Sequence, residues 1–197
     1  MNKIWSKVSN YFKKNWVYIL IFAIFLIFDQ ITKVILDGKT IGLISGVFSF
    51  TSSHNYGAGF SILTGKGWLL ITLTFVFLAF IGVFNHFQKQ KNALYKWSMA
   101  LIISGAIGNL IDRIFLGYVR DFLYFELINF PIFNVADSCL TIGIILLCVF
   151  LVFVEPKLKK ANSQKTETNS GQDDQSNSQN KEENNADNNS WTTRYKC

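Results

Sequence analysis

The sequence predicts an all-α integral membrane protein with four transmembrane helices. Two observations carry that reading. Half of the 197 residues are apolar and only 16% are charged, whereas a soluble domain carries about a quarter charged residues. Four segments also approach the roughly 20 apolar residues needed to cross about 30 Å of hydrocarbon. Nineteen Phe and five Trp beside two Pro fit membrane helices and exclude a wholly disordered chain.

The first span is Trp16–Leu36. A basic start gives it the look of a signal peptide. It runs on through Asp29 and Gln30 into further apolar residues without a small-residue cleavage site, so it reads as an uncleaved span. Residues 40–52 (TIGLISGVFSFTS) set β-branched and aromatic residues among small ones, which predicts a short strand or hairpin. Gly57, Gly59, Gly65 and Gly67 then predict loop and turn. The second span is Gly67–Phe84, and the third runs from about Ala93 to Phe115. The fourth, Ser138–Val154, is slightly short and asks for a thin bilayer or help from its neighbours.

Basic residues orient the spans. Lys3, Lys7, Lys13 and Lys14 precede the first; Lys89, Lys91 and Lys96 separate the second and third; Lys157, Lys159 and Lys160 follow the fourth. The other two loops hold only Lys39, Lys66, Arg113 and Arg120. Both termini are therefore expected in the cytoplasm, with 37–66 and 112–137 facing outward. The basic excess reads as orientation and attraction to anionic lipids, not nucleic-acid binding. Residues 161–197 hold eight Asn, four Gln and five Ser with a net charge of −2, and predict a disordered cytoplasmic tail. Residues 1–160, at +8, form the membrane domain. Cys139 and Cys148 lie in an apolar run, and the three Cys show no CxxC or paired spacing, so no disulfide framework or zinc site is expected.

Ionisable residues at membrane spans point to function by default. Here they are Asp29, Lys33, Asp112, Arg113, Asp121 and Asp137, all near the outer ends. Asp29 and Lys33 stand i, i+4 and suit a structural pair, with Lys33 snorkelling to the interface. Asn109, Asp112 and Arg113 share a helical face, either as a packing seam with an end-capping ion pair or as the polar wall of a site. Ser104 and Gly108 form a small-xxx-small pair that admits a neighbouring helix. Asp121 and Asp137 are sixteen residues apart with Pro131 between them. A returning loop would bring them together; otherwise Asp137 is an N-cap and Asp121 a loop acid. Carboxylates that meet share a proton, so one activates water while the other protonates the carbonyl oxygen or leaving amine. Helix N-terminal amides make Asp137 the expected more acidic member. His54 reads as a surface residue. No GxSxG, HExxH or Walker loop occurs. A proton or cation relay, a non-enzymatic scaffold, and a metal-dependent enzyme using Asp112, Asp121 and Asp137 are the competing readings. A relay is disfavoured because the acids gather at one surface.

DQITK (Asp29–Lys33), NYGAGF (Asn55–Phe60), SGAIGNLIDR (Ser104–Arg113), VRDF (Val119–Phe122) and FNVADS (Phe133–Ser138) together resemble signal peptidase II, the bacterial prolipoprotein signal peptidase. The resemblance covers about residues 17–155. It implies an aspartic endopeptidase with Asp121 and Asp137 as catalytic dyad. Asn55, Asn109, Arg113 and Asn134 would line or support the site, and Asp29, Lys33 and Asp112 hold supporting motif positions. It further implies four membrane helices with a small extracytoplasmic β-cradle and a short surface helix, in the bacterial plasma (inner) membrane. The implied substrates are diacylglyceryl-modified prolipoproteins cut just before the lipidated Cys. Globomycin-type peptides are the implied inhibitors, and no cofactor or metal is expected. A monomer among membrane lipids is the expected state. Gly59 and Arg120 depart from the family's usual residues.

Overall fold

The computed structural model describes residues 2–57, 62–89, 91–128 and 130–164. Helix α1 spans Asn2–Leu36, strands β1 and β2 span Thr40–Ile44 and Phe48–Asn55, and α2 spans Gly67–Phe87. Helix α3 (Ala93–Phe115), strand β3 (Val119–Phe125) and helix α4 (Val135–Val149) follow. Among the described residues, four helices are long and apolar enough to cross a membrane. No short surface helix occurs among the described residues, and residues 58–61, with Gly59, are not among them.

Residues 1–150 form one compact unit. Its packing inverts that of a soluble protein. Ile24, Ile27, Phe28, Ile31 and Val34 of α1 are exposed, while Asp29, Lys33, Ser104, Asn109, Asp112, Asp121 and Asn134 are buried. Lipid can solvate the apolar face, whereas the polar groups need protein partners. Helix α3 is central: 67% of its apolar window is buried, against 11% for α2. It packs most extensively on α4 and next on α1. The expected small-residue seam exists but is shifted. The closest approach is at Gly105, where a Cβ would run into the Ala136 carbonyl oxygen and stand 2.8 Å from Leu140 Cγ. At Gly108 a Cβ would lie 2.6 Å from Asp29 Oδ2 and 3.2 Å from Ala136 Cβ. Ser104 is buried beside them, with its hydroxyl on Leu101 O at 2.9 Å.

The predicted hairpin is β1–β2, antiparallel, turning at Gly46 with φ +69°. That left-handed conformation is one a side chain resists. A third strand goes beyond the sequence reading: β3 pairs antiparallel with β2, with a register irregularity between Phe50 and Ser53. Asp121 therefore sits on a strand and not in a loop. Its segment, VRDFLYF, has the β-branched and aromatic content of a strand. The chain then folds back on itself. Leu123 N donates to Phe133 O at 2.8 Å and Phe133 N to Leu123 O at 3.1 Å. This bridge is the returning connection that sets Asn134 and the start of α4 beside Asp121.

The second unit begins at Leu151. A π-helical turn, Phe150–Val154, continues the chain after α4. Residues 155–164 are α-helical and carry a Lys159–Glu155 ion pair of 2.8 Å. The fourth apolar helix thus extends over Val135–Gln164, 30 residues, longer than the span expected from sequence. Residues 161–164, assigned to the tail, are helical; 165–197 lie outside the described residues.

Candidate active site

Three elements meet around Asp121: β2 brings Asn55, β3 brings Asp121, and the end of the returning loop brings Asn134. Asn55 Nδ2 donates to Asp121 Oδ2 at 3.0 Å, and Asn134 Nδ2 to Oδ1 at 2.6 Å. Asp121 is only 3% exposed. Burial first, and then the nearby Asp137 charge, push its carboxyl up to about 7; the two amide donors pull the other way. Both effects follow the general rule that desolvation and like charge disfavour a carboxylate.

Asp137 is not the N-cap of α4. Asn134 is, and Asp137 is the third helical residue. The two form a reciprocal capping box: Asp137 N donates to Asn134 Oδ1 at 2.9 Å, and Asn134 N to Asp137 Oδ2 at 3.3 Å. Capping fixes which way the Asn134 amide points. Its oxygen is held by the helix, so its NH2 faces Asp121. Asn109 is oriented by the same logic. Its Oδ1 accepts from Lys33 Nζ at 3.0 Å and from Asn134 Nδ2 at 3.1 Å, so its NH2 donates to Asp137 Oδ1 at 2.7 Å. Two amides thus join both carboxylates to one another and to Lys33.

Lys33 does not snorkel. It is fully buried, 2.9 Å from Asp29 Oδ2 and 3.6 Å from Asp112 Oδ2. Asn109 and the two acids offer it more than the interface would, and together they lie behind the site. Asp29 Oδ1 also accepts from Ala136 N at 2.8 Å, tying α1 to the first turn of α4. Asp112 pairs with Arg120 and not Arg113. Arg120 Nη2 lies 2.7 Å from Oδ1, and its backbone N 3.0 Å from Oδ2. Arg113 instead donates to Gly57 O at 3.2 Å.

Asn55, Asn109, Arg113, Asp121 and Asp137 all line one cavity of about 510 Å³, with Phe130, Pro131 and Phe133 among its apolar walls. That volume is ordinary for a substrate pocket. Asn134 supports it from behind. Asp29, Lys33 and Asp112 do not reach it, so Asp112 does not join Asp121 and Asp137 as a third ligand-like carboxylate. Sequence reasoning misses Gln30, whose amide donates to Asp29 Oδ2 at 3.0 Å and to Gly108 O at 3.1 Å. It shows Arg120 only as a departure, and His54 only as a surface residue. His54 is hydrogen-bonded to Asp37 Oδ1 at 2.8 Å, stacks on Tyr118 and lines the cavity. The contacts of Gln30 come from the packing of α1 on α3, and the sheet register sets His54 opposite Arg120; no local spacing announces either.

Comparison with known proteins gives a consistent result. The family model for signal peptidase (SPase) II matches residues 21–153. The chain is 37% identical to the lipoprotein signal peptidase of Lactiplantibacillus plantarum, over 68% of this chain and 93% of that protein. It is 43% identical to that of Brevibacillus brevis, over 69% and 95%. A bacterial membrane enzyme structure obtained by the in meso method at 2.3 Å resolution superposes with a TM-score of 0.65. It shares 37% identity and covers 69% of this chain and 87% of its own. With four apolar helices, a buried polar cluster and these matches over most of its length, the chain belongs to the signal peptidase II family and is a multi-pass bacterial membrane peptidase.

Proposed function

We propose that the protein removes signal peptides from diacylglyceryl-modified prolipoproteins, cutting just before the lipidated Cys, with Asp121 and Asp137 as an aspartic dyad. The observation that carries this reading is the sharing of one cavity by two carboxylates whose hydrogen bonds come from amides. Asp121, pushed up to about 7, holds a proton through the acid range and half the time at neutrality. Asp137, in the first turn of α4, is the member that takes a proton from water as it attacks the peptide carbonyl. Asp121 then protonates the departing nitrogen, and the dyad exchanges its protons for the next cycle. Asn55, Asn109 and Asn134 keep the carboxylates aimed. Arg113 fixes the Gly57 carbonyl next to Tyr56, which lines the cavity.

The substrate's apolar signal helix and acyl chains fix its depth in the bilayer, which turns cleavage into a positioned reaction. The positive-inside bias supports an active site at the outer face and cytoplasmic termini. Residues 1–160 are proposed to suffice, with 161–197 a dispensable tail. The test is cleavage of a lipidated prolipoprotein by purified protein in detergent, read by the mass of the product. Asp121→Asn and Asp137→Asn should each lose at least about a hundredfold in rate, and a globomycin-type peptide should block the wild type. Removal of 161–197 should leave the rate within about twofold of wild type, the spread expected from unrelated surface changes. A near-wild-type rate in either single Asn variant would overturn the dyad.

A further inference from the structure

A second cavity, of about 580 Å³, opens at the other end of the helical unit from Asp121. It is bounded by Tyr18 and Phe22 of α1, Ile103 of α3, and Lys89, Lys91 and Lys96 around the α2–α3 connection. Along α1, Tyr18 stands about 16 Å from Asp29; along α3, Lys96 stands about 20 Å from Asn109. The two cavities are therefore separated by much of the membrane's thickness.

The chemistry of this cavity is two-sided. Its rim carries three lysines and no carboxylate, and none of the three pairs with an acid among the described residues. Lys96 Nζ lies 4.9 Å from the centre of the Tyr18 ring, which holds one ammonium against α1. Below the rim the walls are apolar: Ile19, Phe22, Met99 and Ile103. Helix α2 reaches this end through Phe84 and Asn85, which meet Tyr95, while most of its apolar length stays unburied. A clustered positive rim over apolar walls matches a molecule with an anionic head and a hydrocarbon chain.

We propose that this cavity binds one anionic glycerophospholipid, its phosphate among Lys89, Lys91 and Lys96 and the upper part of an acyl chain against Phe22 and Ile103. The volume suits a headgroup and the start of the chains, while the rest of the lipid continues into the bilayer. The lipid supplies the counter-charge that the described residues lack at that rim.

The test is retention of lipid by the full-length protein in detergent, read by native mass spectrometry after exchange with equal phosphatidylglycerol and phosphatidylcholine. Wild type should retain one phosphatidylglycerol preferentially. K89Q/K91Q/K96Q should lower that preference at least tenfold, since each lysine near an anionic lipid contributes about fivefold in affinity. K157Q/K160Q, which leaves the rim intact, should not change it. Ile103→Trp, which fills the slot and keeps the charges, should also release the lipid. Should that variant fail to fold, the lysine variants decide alone. Equal loss in both lysine variants, no loss in the triple variant, or glycerol phosphate competing as well as the lipid would each overturn the proposal.

Discussion

Replacing Asp121 by Asn should make the protein more stable at alkaline pH while silencing it. The Asp121 carboxyl is raised from 3.8 to about 7, whereas an unfolded Asp titrates near 3.9. Between about pH 4 and pH 7 the native state thus holds a proton that the unfolded chain has released. Stability falls as pH rises through that window and stays low above it. Three pH units at 1.36 kcal/mol each come to about 4 kcal/mol. The substituted amide does not ionise and so escapes this loss. It would, however, turn an NH2 toward Asn55 Nδ2 or Asn134 Nδ2, which donate to Asp121 at 3.0 and 2.6 Å. One lost hydrogen bond costs about 1 kcal/mol. The net gain is about 3 kcal/mol at pH 8.5, or roughly 6–12 °C for a chain of this size. At pH 4.5 the two effects nearly cancel. Thermal unfolding of the purified variant and wild type at both pH values measures the difference. The same shift at pH 4.5 and 8.5, or an Asn variant that melts lower at 8.5, would refute the placement of a proton on Asp121.

Three other outcomes follow from the same contacts. Lys33→Met leaves Asp29 and Asp112 buried without their shared cation, and should cost about 3–5 kcal/mol in denaturation; adding Asp29→Leu should recover part of it. Asn134→Ala removes a donor that lowers the Asp121 pKa, so the alkaline limb of the rate profile should move up from about 7. The same change should cost about 1 kcal/mol of stability through the lost cap. Gly108→Ala should lower the melting temperature because its Cβ would meet Asp29 Oδ2 at 2.6 Å, whereas Gly82→Ala, with nothing within 4 Å, should not.

The membrane helices are legible in the sequence because a span is a local property: apolar length alone declares it. The third apolar helix matches its expected bounds at Ala93 and Phe115. Helix α1 and the fourth apolar helix, Val135–Gln164, run beyond theirs, since polar residues can extend a helix past the hydrocarbon. The hairpin is legible for the same local reason. Strand β3 is not, because a seven-residue edge segment declares itself only when β2 lies beside it. The polar residues are individually conspicuous, but their partners are not. Asp112 finds Arg120 across a turn and a strand, and Asn109 finds Lys33 across two helices. Spacing predicts Asp29 with Lys33, since i, i+4 pairing needs nothing from the rest of the fold.

The sequence distances of these pairs also bear on how the chain enters the membrane. The Asp29–Lys33 pair lies within α1, so the apolar span Trp16–Leu36 inserts with its charges balanced and without waiting for α3. Asp112 meets its arginine eight residues later, within the next stretch of chain to be synthesised. Each of these buried acids therefore has a counter-ion almost as soon as it is made. Asp121 and Asp137 accept hydrogen bonds from Asn55, Asn134 and Asn109, residues as much as 66 positions away. Those two acids are settled only when the start of α4 arrives, so their cavity takes shape after Asp29 and Asp112 have met their counter-ions.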